Sequence, residues 1–244
     1  MRAAAPNTAG AVYVFGVVAT AAVESAGVDL PDGVEIVSDG PVAAVVAAVP
    51  ADRALGLASD LRRHDAVVGG FVERGIAILP MRFASTVAAP ATLVADVLAP
   101  KREAFLSALR ELEGVVQYTV RVGYVREAVL GAVMRNDPGI TRLRAEAGGQ
   151  SAQIRLGELI VQAIDRRRGG DAERLQGELQ PLVERIECRL SHDPDRLADF
   201  ACLVARDHGA EFEQALEAVA KRHHEAVSMT LLGPLAPYDF VPES

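Results

Sequence analysis

Cysteine is scarce in this chain of 244 residues: only Cys188 and Cys202 are present. They are too few for a disulfide framework and do not form a CxxC pair, so both are expected as buried thiols in a reducing, cytoplasmic compartment. No apolar run reaches the roughly 18 residues that a membrane-crossing helix needs, so no membrane span is expected. Basic charge is also short. Lysine and arginine total 25 against 33 aspartate and glutamate, a net charge of −8, and only Lys101 and Lys221 are lysines. A chain that grips phosphate backbones needs a basic field, so nucleic acid is not an expected partner. Phosphate-cradling and nucleophile motifs are missing too. Gly69-Gly70 lies in a helical pattern without GxGxxG spacing or a P-loop lysine, and there is no GxSxG elbow. The histidines do not supply a centre either. His64 and Asp65 diverge by about 100° on a helix, His192-Asp193-Pro194-Asp195 reads as a helix-to-turn junction, and the adjacent His223-His224 cannot chelate one ion from one face. No catalytic residue, cofactor or metal is expected, and no tandem repeat of 20–50 residues is visible.

What is present is a globular composition: half the residues are hydrophobic and 24% are charged. At about 150 residues per domain the length allows one large or two small domains, and folding buries roughly 70–75% of the unfolded surface. Residues 11–18 form a valine-rich apolar run. Set behind Arg2 and Pro6-Asn7-Thr8 it could imitate a leader, but its composition reads as a buried strand. Residues 35–38 and 42–49 read as two strands of a hairpin around Asp39-Gly40. From about 51 to 72 the period becomes helical, with Leu57, Leu61, His64, Val68 and Phe71 on one face. Residues 76–83 return to extended structure, where Pro80 marks an edge or the end of a strand. With a short helix over 20–26, the first hundred residues read β-α-β-β-α-β, a ferredoxin-like sandwich with helices on one side of a sheet.

Helices are expected over 91–98 and 102–112, near a domain boundary. Residues 115–126 alternate strictly, with Val116, Tyr118, Val120, Val122 and Tyr124 against polar neighbours, a strand. A long helical hairpin is expected over about 137–191. Asp137-Pro138 opens it, Gly148-Gly149 lies inside its first arm, Gly169-Gly170 makes the turn and Asp171 caps the return helix. Leu175, Leu179, Leu182, Ile186 and Leu190 form its seam. It reads as a coiled-coil-like arm or as a helix pair laid on a sheet. A strand over 200–206, a helix over 210–222, a strand over 226–232 and an extended tail over 233–244 complete an α+β second domain. The expected division is 1–100 and 101–244.

Without a catalytic constellation, surfaces become the candidates. The charged hairpin either covers a core or docks a partner. Leu79-Pro80-Met81-Arg82-Phe83 is an apolar edge with one cation. The tail carrying Tyr238 and Phe240 either tucks back or presents a recognition element. The candidate partner-binding residues are Leu79, Met81, Arg82, Phe83, Tyr238 and Phe240.

These same segments resemble a known family. Tyr13-Val14-Phe15-Gly16-Val17-Val18 is similar to the opening strand of the gas vesicle accessory proteins of the GvpF/GvpL family. His64-Asp65-Ala66-Val67-Val68 with Leu79-Pro80-Met81-Arg82-Phe83 resembles its most recognisable segment. Gly233-Pro234-Leu235-Ala236-Pro237-Tyr238-Asp239-Phe240-Val241 resembles its closing Gly-Pro-Trp-Pro-Pro-Tyr-Ser-Phe motif, with Leu235 for Trp, Ala236 for Pro and Asp239 for Ser. The order of these segments spans nearly the whole chain and lies marginally nearer the F branch. The resemblance implies a non-enzymatic accessory or minor structural protein, gas vesicle-associated. It implies a modified ferredoxin-like amino-terminal domain and, as partners, the main gas vesicle shell protein and other accessory proteins. The competing reading is a small-molecule-binding or enzymatic ferredoxin-like protein, which would show a concave pocket with convergent polar groups.

Overall fold

Apolar runs with β-branched residues pair first into a sheet of the amino-terminal half. In the computed structural model, which describes residues 10–50, 54–146 and 149–242, β1 (Val12–Ala19) is followed by the short helix α1 (Thr20–Ala26). Then come β2 (Val34–Asp39) and β3 (Val42–Ala48). Residues 1–9, with the Arg2 and Pro6-Asn7-Thr8 that precede the apolar run, residues 51–53, residues 147–148, with the Gly148 expected inside a helical arm, and residues 243–244 lie outside the described residues. The β2–β3 hairpin closes as its sequence demands: Asp39 pairs with Val42, and Gly40 takes φ 61°, where a side chain would be strained. Helix α2 (Ala58–Glu73), β4 (Ile78–Pro80) and the two-residue β5 (Thr86–Val87) follow. The sheet order is β2-β3-β1-β4 with neighbouring strands antiparallel, and β5 pairs with β1 beyond β4. This is the expected β-α-β-β-α-β order.

The covering of that sheet differs from expectation. β1 and β3 are buried at nearly every successive position, which requires cover on both faces rather than one. Helix α2 supplies His64, Val67, Val68, Phe71 and Val72, while Leu57 and Leu61 of the expected stripe stay exposed. A second helical run also packs on β1, β3 and β4: α3 (Pro90–Thr92), a π-helical stretch (Leu93–Leu98) and α4 (Ala99–Glu111).

The second half opens with β6 (Val115–Tyr124), the strictly alternating segment. Then come α5 (Arg126–Asn136) and α6 (Pro138–Glu146), where Asp137 Oδ1 accepts the Gly139 and Ile140 N–H groups as the expected cap. The helical hairpin expected over about 137–191 is not formed with its turn at Gly169-Gly170. Instead α7 (Gln150–Leu179) runs 30 residues straight through both glycines, and the chain leaves it for β7 (Arg185–Leu190). Two glycines weaken a helix by about 1 kcal/mol each. Side chains beside them offset this: Arg168 bonds the Ser191 and Asp193 carbonyls, and Asp171, expected as a cap, is buried mid-helix. Val129, Val133, Ile140, Ala163 and Ile164 form the core under α5, α6 and α7.

β8 (Arg196–Ala205), α8 (Gly209–His223) and β9 (Val227–Leu235) complete a second sheet of order β7-β8-β6-β9. Beyond it a single 3-10 turn, Tyr238–Phe240, ends the described chain. The protein is thus α+β in two units. One comprises residues 1–117 together with 235–244, the other residues 118–234.

Candidate functional site

The three segments that carry the family resemblance converge in the first unit on one imidazole. Tyr13 and Phe15 lie two residues apart on β1 and so point to one face of the sheet, with their ring centroids 4.8 Å apart. β1 bulges between Val14 and Gly16. At Gly16 a Cβ would come within 2.7 Å of the Leu79 carbonyl, so only glycine admits β4 this closely. Helix α2 sets His64, 1% exposed, over these rings. Phe15 stacks on the imidazole at 5.7 Å and Phe83 meets it edge-on at 6.0 Å.

Both ring nitrogens are used. Tyr13 Oη lies 2.7 Å from Nδ1 and Tyr238 Oη lies 2.8 Å from Nε2. Tyr13 Oη also accepts the Ala84 N–H at 3.1 Å. Neutral His64 satisfies this chain when Tyr13 donates its own proton to Nδ1 and Nε2–H donates to Tyr238. Burial favours the neutral form and holds the imidazole below its ordinary pKa, while Asp65 and the Met81 carbonyl pull the other way. The same burial raises the Tyr13 and Tyr238 hydroxyls above theirs. The arrangement is a hydrogen-bonded anchor with no proton to give away near neutrality.

The anchor shapes the surface above it. Ala84 has φ 67°, a strained value for a residue with a Cβ, and Tyr13 holds its N–H. The turn closes with Ser85 N–H on the Arg82 carbonyl, which brings Phe83 over His64. At the carboxyl end, Gln117 donates to Asp239 Oδ2 at 2.6 Å and accepts the Asp239 N–H at 3.1 Å. These bonds hold the turn that carries Tyr238.

The sequence-selected residues therefore divide. Leu79, 1% exposed, and Phe240 are core residues that offer no surface. Arg82 is exposed, Met81 and Phe83 are half-buried, and Tyr238 keeps 40% of its surface. Phe83 and Tyr238 both lie about 6 Å from the same imidazole. Tyr13 was not among the sequence-selected residues, whereas His64 lies packed on the apolar face of α2 where its spacing placed it. The legible signal was Tyr13 and Phe15 at strand spacing within the quoted opening motif.

A second polar cluster sits in the other unit. Asp171 accepts Tyr124 Oη at 2.9 Å and Arg167 Nε at 2.7 Å, and pairs with Arg174. It borders a cavity of about 160 Å³ that also touches Glu178 and His223. Glu178 bonds Arg222 at 2.9 Å and His223 at 2.8 Å, and the Arg222 guanidinium holds its carboxyl below the usual range. With these donors in place, Asp171 works as a structural tie between α7 and β6. Burial pushes the Cys202 thiol up to about 12, which keeps it unreactive. Among the described residues no three His, Cys, Asp or Glu side chains gather as metal ligands, and no helix is long and apolar enough to cross a membrane.

Comparison with known proteins bears on both units. The profile of the family described as gas vesicle synthesis protein GvpL/GvpF matches residues 11–242. The chain is 33% identical over 219 residues to gas vesicle protein F of Streptomyces sp. (strain CB03234), covering 87% of this chain and 90% of that one. The crystal structure of GvpF from Anabaena sp. PCC7120 superposes with a TM-score of 0.76 at 19% identity, covering 97% of this chain and 100% of that one. The crystal structure of GvpF from Microcystis aeruginosa does so with 0.73 at 17%, covering 96% and 99%. At these identities the two structures speak for the fold.

Proposed function

The chain belongs to the gas vesicle synthesis protein GvpL/GvpF family, and from that premise we propose that it assists vesicle assembly by binding the main gas vesicle shell protein through its first unit. A part in gas vesicle formation follows from the family itself. The finer reading rests on one observation: Phe83 and Tyr238, far apart in the sequence, both lie against His64 with Arg82 exposed beside Phe83. Half-exposed rings held rigid by buried bonds lose little entropy when a partner covers them. A subunit that builds an apolar shell exposes surface that aggregates before assembly, and a net-acidic partner with such a patch keeps it dispersed or seeds its growth. Other gas vesicle accessory proteins are further partners on this reading, and the protein travels with the vesicle.

Capture of the shell protein by full-length chain tests this. Arg82→Glu with Phe83→Ser is expected to weaken capture about tenfold, equivalent to about 1.4 kcal/mol. Tyr238→Phe, which removes one hydrogen bond while keeping the ring, is expected to weaken it less. Capture by the Arg82→Glu, Phe83→Ser chain equal to the parent, with an unchanged circular dichroism spectrum, rejects this surface.

A further inference from the structure

His64 is held by two hydroxyls that do unlike work. Nδ1 meets Tyr13 on β1, and Nε2 meets Tyr238 in the carboxyl-terminal turn. Counting protons separates the two. Tyr13 Oη accepts the Ala84 N–H and gives its own proton to Nδ1, while Nε2–H goes to Tyr238. A further proton can enter only at Nδ1. The Nε2 bond is untouched, because that nitrogen already donates. At Nδ1 two donors then face each other across 2.7 Å. Tyr13 Oη can accept Nδ1–H only by turning its own proton away, and no second acceptor for that proton stands among the described residues.

We propose that His64 is a pH-operated latch on the Arg82–Ser85 turn: the proton it gains in mild acid drives Tyr13 from Nδ1 and frees the turn, while Tyr238 stays bound. The turn is the side that yields. Ala84 sits at φ 67°, a left-handed value kept only while its surroundings hold it, and Tyr13 Oη is the acceptor of its N–H. The carboxyl-terminal turn has a hold of its own in the paired bonds between Gln117 and Asp239. No counter-ion relieves the charged ring. β1 brings only Tyr13, the Arg82–Ser85 turn only the exposed Arg82, and the carboxyl-terminal turn Tyr238 and an Asp239 bonded to Gln117. On α2, Arg62, Arg63 and Asp65 are exposed, and the Asp60 carboxylate accepts the Gly56 and Leu57 N–H groups. Neither carboxylate hydrogen-bonds the ring, and burial outweighs the favour that Asp65 and the Met81 carbonyl show its charged form. Opening the turn lets water reach the charge instead. The latch belongs to the fold and holds whatever partner the Arg82 and Phe83 surface meets.

Hydrogen exchange of the full chain tests it, followed from about pH 7.5 to about pH 5 with each amide referred to its intrinsic rate at that pH. Protection of the Ala84 and Ser85 amides is expected to fall about tenfold as the imidazole, followed by NMR, takes up its proton. The Asp239 amide, bonded to Gln117, is expected to keep its protection over the same range. His64→Gln puts a side chain there that takes no proton, and is expected to remove the pH step at Ala84. Tyr13→Phe covers the case of a His64→Gln chain that does not fold. It removes the acceptor of the Ala84 N–H, so that amide is expected to exchange fast at every pH, again without a step. A turn that keeps its protection down to about pH 5 overturns the proposal. So does an Asp239 amide that opens together with Ala84, or a pH step that survives in either variant.

Discussion

The two units share one connectivity and differ in how they are held. With β6, β7, β8 and β9 in the places of β1, β2, β3 and β4, both sheets read strand, helix, two strands, helix, strand, and both run in the order second-third-first-fourth. The first crossover of the amino-terminal unit is the seven-residue α1, while its counterpart is the run from α5 to the 30-residue α7. Their fourth strands contrast as strongly: three residues ending on Pro80 against nine uncharged ones. The first unit is closed by a neutral chain of rings and one imidazole, and the second by a carboxylate between arginines. One connectivity therefore accepts two unlike polar devices, because strand order depends on where apolar faces must meet and leaves the polar anchor free to vary.

Substitutions can pull that comparison apart. The largest effect is expected from Gly16→Val, whose side chain has no room beside the Leu79 carbonyl and the Ile78 side chain. A loss of about 3 kcal/mol should appear in hydrogen exchange as faster exchange of β1 and β4, with β8 unaffected. Equal loss in both sheets would show that the units do not respond separately. Next comes Asp171→Ala, which leaves Tyr124, Arg167 and Arg174 without their shared acceptor. Breaking a buried pair is more damaging than this, but both arginines retain solvent contact, so about 2 kcal/mol is expected, read in α7 and β6. Gly170→Ala is smaller and opposite in sign. Nothing lies within 4 Å of the added methyl and the residue is mid-helix, so a gain of about 1 kcal/mol is expected in the melting of the second unit. A destabilised variant would mean that the glycine is a turn after all.

An acid titration sharpens the contrast without any mutation. His64 has its folded pKa lowered by burial, so the unfolded chain binds the proton more readily. Its contribution is complete above the ordinary value of about 6.5 and shrinks as pH falls below it. Glu178 is also lowered, by Arg222, and its contribution fades only as pH falls below the ordinary carboxyl value of 4.5 towards the folded one. Exchange protection in β1 and α2 should therefore weaken at a higher pH than protection at the carboxyl end of α7. Simultaneous loss, or the reverse order, would break the assignment.

Much of the fold was legible and one large element was not. The first sheet followed from apolar runs and the Asp39-Gly40 turn, because β-branched residues and a glycine at positive φ are local requirements. β7 was hidden. Arg185, Glu187 and Arg189 alternate with Ile186, Cys188 and Leu190 as a strand should, yet Leu175, Leu179, Leu182, Ile186 and Leu190 also fit a helical seam. Gly169-Gly170 then drew the turn into the wrong place. At the anchor, the family motifs marked the residues around Phe83 and Tyr238 as worth attention, but not that Leu79 and Phe240 would be core.

Residue order alone settled the strand and helix alternation of the first unit, the acidic balance and the family, since each is a pattern read over neighbouring positions or their succession. Folding decided that Tyr13 and His64, 51 residues apart, and His64 and Tyr238, 174 apart, would share one hydrogen-bonded chain. It also decided that α7 would stay helical across two glycines. The reason is physical: those outcomes depend on which distant groups satisfy a buried nitrogen, carbonyl or carboxylate, and only the closed chain brings such partners within 3 Å.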